Sequence, residues 1–156
     1  MPAQKTDHSI SSNRNARRDY QILETYEAGV VLCGTEVKSI RAGKANITDA
    51  FARIEGGNAI LYQCDIAPYD KSHFFNHEPR QPRRLLLHKS EIAKIYSTAS
   101  VKGHSIPALE MYWKNGRVKI RLGVGQGKTH QDRRQDIKSA DAKREIDRAI
   151  KNRLNQ

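Results

Sequence analysis

Apolar and polar residues alternate through 109–113 and again through 117–122, and Asn115–Gly116 stands between the two runs. Successive side chains of a β-strand point to opposite faces, and Asn-Gly is a preferred two-residue turn in tight hairpins. The pattern therefore predicts an antiparallel hairpin with aliphatic side chains on one face. Its other face carries a row of cations, Arg117, Lys119 and Arg121.

A second pattern places a strand, a short helix and a turn within the segment 26–47. Val30–Leu32 is an apolar run between glycines, which is typical of a short buried strand. Thr35 is placed to cap a helix with Glu36 in its first turn, and Gly43 is placed to end it. This density of elements suits a small barrel with a helix covering one end.

The remaining patterns predict a mainly β protein. Strands are expected at 20–26, 50–55 and 59–64, and a helix begins near Ser90 with apolar residues at i, i+3, i+4 and i+7. About six short strands and two or three helices, without regular strand–helix alternation, favour an antiparallel barrel of the oligonucleotide-binding type. The expected domain is 13–124, followed by a basic C-terminal tail.

The segment 68–84 breaks the strand pattern with two prolines and carries Tyr69, Phe74 and Phe75. A loop of this length is either functional or mobile. Its aromatic rings could pin the loop to the core or stack on nucleic-acid bases, and the sequence leaves both interpretations open.

The net charge of the chain indicates which kind of partner it binds. The chain has 156 residues, with 28 Lys and Arg against 17 Asp and Glu, so its net charge is +11. A length of this order gives one domain and a tail, and the positive charge predicts a polyanionic partner. The sequence has neither an apolar run of membrane-spanning length nor a hydrophobic signal core, so we expect a cytoplasmic protein with no membrane partner.

The sequence predicts no enzyme, metal site or cofactor. Cys33 and Cys64 are isolated in apolar surroundings and are expected to be buried thiols. His73 and His77 lie in an irregular loop, which argues against a metal site. No pairing of nucleophile and base is recognisable. A binding protein is the stronger class.

The segment Gly123–Thr129 imitates a phosphate-binding loop, but Leu122 occupies the position where that motif needs its first glycine. We therefore reject nucleotide hydrolysis. The glycines are interpreted instead as a hinge where the last strand leaves the barrel.

The two ends of the chain are polar. Residues 1–12 are expected to be a disordered arm, and the basic cluster that follows (Arg14, Arg17 and Arg18) is either a solvated face or a phosphate contact. The tail, 125–156, combines many cations with a thin apolar stripe. Such a segment buries too little to hold a helix alone, so we expect it to be flexible and to become helical on an anionic partner.

Several blocks carry a family resemblance, and they extend from Asn13 to the end of the chain: NRNARRDY, YEAG followed by GTEVKSIRAGKANI, RRLLLHKSEI, YWKNGRVKIRLGV and GKTHQDRRQDIK. Together they resemble the small protein B (SmpB) family, the tmRNA-binding proteins of bacterial trans-translation. The resemblance implies a barrel that binds the tRNA-like domain of tmRNA and enters stalled ribosomes. It also implies a tail that becomes helical in the empty mRNA channel near the decoding centre.

By this resemblance the chain is an adaptor without catalysis, and we expect a monomer when it is free. Positions that match tmRNA contacts, together with the basic residues expected to join them, are Asn13, Arg14, Arg17, Glu27, Lys38, Arg41, Lys44, Leu86 and His88. An acid such as Glu27 on an RNA-binding face can accept hydrogen bonds from bases or ribose, although it could equally support the core. The alternative function is a general single-strand RNA-binding or ribosome-associated barrel protein.

In the tail, Lys128, Arg133 and Arg134 match cations that the resemblance places against ribosomal RNA. Two positions depart from the family pattern. Thr129 stands where a second lysine is common, and Gln131 stands where His or Tyr usually stacks on decoding-centre bases. Either His130 takes the stacking role, or Gln131 forms hydrogen bonds instead.

Overall fold

The computed structural model describes residues 8–154. In chain order its elements are β1 (His8–Ser12), α1 (Arg14–Asp19), β2 (Tyr20–Val30), α2 (Gly34–Arg41), β3 (Ala45–Asn46), β4 (Phe51–Glu55), β5 (Asn58–Tyr62), β6 (Asp65–Ile66), β7 (Arg83–Leu86), α3 (Lys89–Ala99), β8 (His104–Ser105), β9 (Ala108–Lys114), β10 (Arg117–Gly127) and α4 (His130–Leu154).

Eight of these strands form one antiparallel sheet in the order β1-β9-β10-β2-β7-β5-β4, with β8 beside β10, while β3 and β6 pair separately. The sheet curves back on itself near Ala50. There, the Ala52 amide donates to the Ile106 carbonyl at 2.8 Å, and the Ala108 amide donates to the Ala50 carbonyl at 3.0 Å. The predicted mainly β, antiparallel, barrel-like architecture with helices is confirmed, but with more strands than expected.

The hairpin of β9 and β10 forms as predicted. Asn115 and Gly116 have φ of 51° and 74°, the left-handed conformations that a two-residue hairpin turn requires. On β10, Val118, Ile120 and Leu122 are buried in the core, whereas the alternating cations point to the outer face. The packed interior thus occupies one side of this hairpin.

The segment after Tyr20 differs from the prediction. β2 is a single strand of eleven residues that pairs with β10 along most of its length and with β7 at its end. Val30–Leu32 is therefore not a separate buried strand, and Val31 is 51% exposed. The apolar run resembles a separate strand because Val30, the last residue of β2, pairs with Leu85 of β7, and the next residue, Val31, donates its amide to the Arg84 carbonyl.

Helix α2 also begins differently. Gly34 is its first residue, and Cys33 occupies the cap position that was predicted for Thr35. The Thr35 hydroxyl instead forms a 2.9 Å hydrogen bond with the His77 ring. Gly43 follows the helix with a φ of +74°, so the predicted stop is confirmed.

Part of the predicted N-terminal arm is ordered. His8–Ser12 forms β1, an edge strand that pairs with β9, and residues 1–7 lie outside the described part. The serine-rich sequence carries little apolar signal, so the strand depends on the neighbour that supplies its hydrogen bonds.

The glycine-rich segment is not a hinge. β10 continues through it to Gly127, with an irregular register between Val124 and Gly125. A Cβ at Gly125 would lie 2.5 Å from the Gln21 carbonyl oxygen. Glycine is therefore required here for close approach of two strands rather than for bending.

The two cysteines have different environments. Cys64 is buried, and burial raises the pKa of its thiol to about 11. Cys33 is exposed, so the prediction that both thiols are buried is wrong for this residue. Its place at the start of α2 puts it at the rim of the core rather than inside it.

Between residues 8 and 154, no helix combines the length and the apolar character needed to cross a bilayer. The same residues contain no cluster of three or more His, Cys, Asp or Glu side chains able to hold a metal ion.

Candidate nucleic-acid interface

The outer face of the sheet, built by β9, β10, β2 and β7, carries Glu27 at its centre. Glu27 lies opposite Arg121 in the pairing of β2 with β10. The Tyr112 hydroxyl donates a hydrogen bond to its carboxylate, and the Lys114 ammonium donates to both oxygens at 3.0 and 3.1 Å. Glu27 is thus held on a mixed polar surface and not in the core.

These contacts set the protonation of Glu27. The hydrogen bond from Tyr112 lowers the pKa of the carboxyl, burial opposes this, and Lys114 lowers it further. Burial together with the bond to Glu27 raises the pKa of Tyr112 to about 12. Glu27 is therefore a carboxylate at neutral pH, and Tyr112 is a neutral donor. An anion held in place can accept hydrogen bonds from amino or hydroxyl groups of a ligand.

Leu86 and His88 border the same face. Leu86 on β7 pairs with Gly29 of β2, and its side chain is 54% exposed. A Cβ at Gly29 would meet the Leu86 side chain at 3.3 Å, so glycine leaves the room that Leu86 occupies. His88 is exposed at the N-cap of α3, where its amide donates to Glu91 at 3.0 Å.

Three exposed cations, Lys38, Arg41 and Lys44, lie on α2 or just after it. The Arg41 guanidinium lies 6.0 Å from the centre of the Trp113 ring. Trp113 packs against the core, on the opposite face of β9 from Lys114, so this contact does not place Arg41 on the face of Glu27. Lys38 lies 5.3 Å from the Tyr69 ring, and the exposed Lys44 forms a 2.6 Å ion pair with Asp70. We group these cations with the exposed residues of the sheet face as one candidate surface, the α2–sheet surface: Glu27, Lys38, Arg41, Lys44, Leu86 and His88.

A buried ion pair connects this surface to the core. The Arg83 guanidinium donates to Glu36 at 2.7 Å, and both side chains are 1% exposed. Arg83 also donates to the carbonyls of Cys64 at 2.6 Å and Pro79 at 3.1 Å. Burial raises the pKa of Glu36, but hydrogen bonds from Cys33 and Arg83 outweigh burial and lower it. The pair therefore fixes α2 against β7 and the loop before it.

The sequence analysis did not predict this ion pair, although the sequence of β7 contains an indication of it. In the pattern of β7, Arg83 shares its face with the buried Leu85. A cation on the apolar side of a strand needs a buried acid, and Glu36 in the first turn of α2 was available as one.

Asn13, a predicted RNA contact, has a structural role in the free protein. Its side chain is 4% exposed, and its oxygen accepts the Ala16 amide at 3.0 Å, capping α1. Its amide group donates to the carbonyl of Ala108 at 3.0 Å. Asn13 therefore joins α1 to β9 and caps the helix in the free protein.

Arg14 and Arg17 are exposed on α1. α1 leads into Tyr20, which pairs with Gly127 at the end of β10, whereas Glu27 lies seven residues further along β2. At about 3.3 Å per residue the two places are roughly 20 Å apart along the strand. The C-terminal end of α1 therefore lies at the other end of the β2–β10 pair from Glu27.

The tail begins beside α1. The Lys128 amide donates to the Asp19 carbonyl at 2.8 Å, and its ammonium forms an ion pair with Asp136. Arg133 lies 3.9 Å from the Asp19 carboxylate. The Lys128 ammonium also donates to the Arg17 carbonyl at 3.5 Å, so Arg17 lies at the same end of the barrel as the first cations of the tail.

Thr129, a departure from the family pattern, starts the tail helix α4. Its amide and hydroxyl donate to the Asp132 carboxylate at 3.1 and 2.7 Å, and the Asp132 amide returns a 3.3 Å bond to its hydroxyl. These bonds lower the pKa of Asp132. This reciprocal cap satisfies donors that a helix start leaves unpaired. Directly after it, His130, Gln131 and Arg134 are all exposed.

No side chain described in α4 is buried. Its apolar residues recur on one stripe at Ile146, Ile150 and Leu154, and each is more than half exposed. Packing on the barrel therefore contributes little to the stability of this helix. That a binding partner stabilises it is still a prediction.

The sequence profile of the SmpB protein family matches residues 10–152. The chain belongs to the SmpB family. Similar proteins include the SsrA-binding protein of Pelotomaculum thermopropionicum, 53% identical over 145 residues, which cover 93% of this chain and 95% of that protein. The SsrA-binding protein of Bacillus subtilis is 48% identical over 142 residues, 91% of each chain.

A solved structure shares the fold of this SmpB family member. It carries the description "tmRNA-SmpB: a journey to the center of the bacterial ribosome", and the matching chain is 48% identical with a TM-score of 0.64. The match covers 76% of this chain and 84% of that one. The resemblance seen in separate sequence blocks thus extends to the three-dimensional fold.

Proposed function

We propose that this protein is an RNA-binding adaptor that binds the tRNA-like domain of tmRNA and delivers it to stalled ribosomes for trans-translation. Membership of the SmpB family over residues 10–152 carries the proposal, together with relatives that are named SsrA-binding proteins. We propose that the chain itself catalyses no reaction. We also propose that it acts in the cytoplasm and is a monomer when free.

The α2–sheet surface is the proposed tmRNA contact. Its exposed cations can bind phosphates without reading sequence, whereas Glu27, Leu86 and His88 offer an acceptor, an apolar side chain and a ring. Because Lys114 and Tyr112 hold the Glu27 carboxylate in place, little conformational freedom is lost when it accepts a ligand hydrogen bond.

The tail is proposed to act at the other end. α4 leaves the barrel beside α1, away from Glu27, so one protein can hold tmRNA with its sheet and extend its tail into the mRNA channel. Lys128 and Arg133 form ion pairs with Asp136 and Asp19, and rRNA phosphates would replace these acids. Arg134, His130 and Gln131 are exposed and available for the same partner.

Two full-length charge variants test this division. Lys128, Arg133 and Arg134 are replaced by Gln in the first, and Lys143, Arg148 and Lys151 are replaced by Gln in the matched control. An adaptor keeps its tmRNA affinity in both variants, and the first variant loses tagging of nascent chains on stalled ribosomes. A general RNA-binding protein instead loses affinity for every RNA in both variants, in proportion to the charge removed.

A further inference from the structure

Two adjacent aromatic side chains project from the segment between β6 and β7. Phe74 is 92% exposed and Phe75 is 88% exposed. Single exposed apolar residues are common, but two neighbouring rings exposed this fully indicate a contact surface. The interpretation that these two rings pin the loop to the core is therefore wrong.

The loop that carries the two rings is itself held in place. The Asn76 side chain bonds both backbone groups of Tyr69: its oxygen accepts the Tyr69 amide at 3.1 Å, and its nitrogen donates to the Tyr69 carbonyl at 3.0 Å. Ser72 bonds the Tyr69 carbonyl through its amide at 3.1 Å and the Phe75 carbonyl through its hydroxyl. These bonds close the loop immediately around the rings.

A second anchor ties the loop to the barrel. The His77 ring lies between the Thr35 hydroxyl and the Ile66 carbonyl, with 2.9 Å to each. The Gln81 amide donates to the buried Glu36 carboxylate at 2.8 Å. Because both ends of the loop are fixed, a ligand that covers the rings restricts few additional degrees of freedom.

Exposed cations lie on and beside the loop that carries the rings. Lys71 is exposed in the same loop, and Lys38 of α2 lies over Tyr69. Lys44 reaches the loop through Asp70. Cations around an apolar tip favour a ligand that has flat apolar faces and a negative backbone, which describes an unpaired nucleotide better than an apolar protein groove.

We propose that Phe74 and Phe75 form a stacking platform for an unpaired base of the bound tmRNA. This inference rests on the proposed function and extends the α2–sheet surface to the loop tip. Stacking of a base on an aromatic ring is worth about 1–3 kcal/mol and tolerates any base, since every base has a π-face. The platform would thus add affinity that does not depend on salt.

The test uses full-length protein and tmRNA. In the Phe74→Leu/Phe75→Leu variant the apolar volume is largely kept and the π-faces are removed. We expect its affinity for tmRNA to fall about fivefold to a hundredfold with an unchanged salt slope. Tyr96→Leu, at an aromatic residue that is 60% exposed on α3, is the matched control and should bind within about twofold of wild type.

A Phe75→Trp variant provides a direct readout. Tryptophan retains a π-face, so affinity is preserved, and its fluorescence should be quenched by tmRNA beyond the change seen with Trp113 alone. Wild-type affinity in the leucine variant, or absence of this extra quenching, would overturn the platform. Loss of tagging with unchanged tmRNA affinity would also overturn it and would assign the rings to the ribosome.

The same experiment separates this inference from the proposed function. If the wild-type protein prefers tmRNA over tRNA and the leucine variant binds tmRNA as tightly as the wild type, only the stacking platform is rejected. Wild-type protein with no preference rejects the proposed function, and the tmRNA platform with it.

Discussion

The Arg83 guanidinium and the Glu36 carboxylate meet at 2.7 Å inside the barrel, and each side chain is 1% exposed. Arg83 also satisfies backbone carbonyls of the loop before β7. Since α2 carries Lys38 and Arg41, and β7 carries Leu86, one buried contact aligns two parts of the α2–sheet surface. Loss of the pair should therefore affect stability first and RNA binding as a consequence.

We expect Arg83→Met to lower the free energy of unfolding by about 3–5 kcal/mol, because it leaves the Glu36 carboxylate buried without its partner. Urea denaturation measures the change. Arg84→Met is the matched control, since Arg84 is the exposed neighbour on the opposite face of β7, and its effect should stay within about 0.5 kcal/mol. Equal stability of the two variants would contradict a structural role for the pair.

Gly125→Ala should destabilise the barrel by about 1–3 kcal/mol, because the new Cβ would lie 2.5 Å from the Gln21 carbonyl oxygen. Gly127→Ala is the control, as its Cβ would meet no atom within 4 Å. Thermal unfolding of both proteins compares the two sites. An unchanged unfolding temperature for Gly125→Ala would contradict the claim that the close approach of β2 and β10 requires glycine at this position.

Thr129→Ala removes the cap of α4. We expect it to cost the tail helix about 1 kcal/mol and to lower the helical population of residues 130–140 in the free protein. Backbone chemical shifts measure this, and the unfolding of the barrel should not change. Ser139→Ala removes a hydroxyl within the same helix and should not lower helicity. A tail already fully helical in both free proteins would contradict ordering by a partner.

The strongest sequence predictions concern elements whose pattern is local. The β9–β10 hairpin follows from alternation and its Asn-Gly turn, and α3 follows from its apolar spacing. The two-residue strands β3, β6 and β8 have no period to detect, and β1 is polar, so these elements exist through their partners. The cap formed by Thr129 could have been predicted from the local sequence. The family resemblance instead presented Thr129 only as the absence of a lysine.

The sequence predicts the strand face of several candidate residues but not the surface that they form together. Periodicity places Glu27 and Arg121 on faces of their strands, whereas their pairing depends on the register of β2 with β10. The burial of Asn13 could not be deduced, because a cap that also bonds β9 looks identical in sequence to an exposed asparagine. Long-range hydrogen bonds thus set the limit of what the sequence predicts.

Glu27→Gln and Lys38→Ala should weaken tmRNA binding in different ways. Loss of the Glu27 charge weakens accepted hydrogen bonds, so we expect a loss of about 1–2 kcal/mol for tmRNA and little change for random RNA. Lys38→Ala should weaken all RNAs similarly and reduce the salt slope by about 1. Affinity titrations at several salt concentrations distinguish them, and identical behaviour of the two variants would contradict a selective role for Glu27.

The most direct test of the account is the affinity of the wild-type protein for the tRNA-like domain of tmRNA, a tRNA of the same length and a random RNA across a salt series. We predict that binding to tmRNA stays preferred as salt rises, because shape-specific contacts on the α2–sheet surface persist when phosphate attraction is screened. Equal affinities that fall together with salt would contradict the account and leave only a general attraction to polyanions.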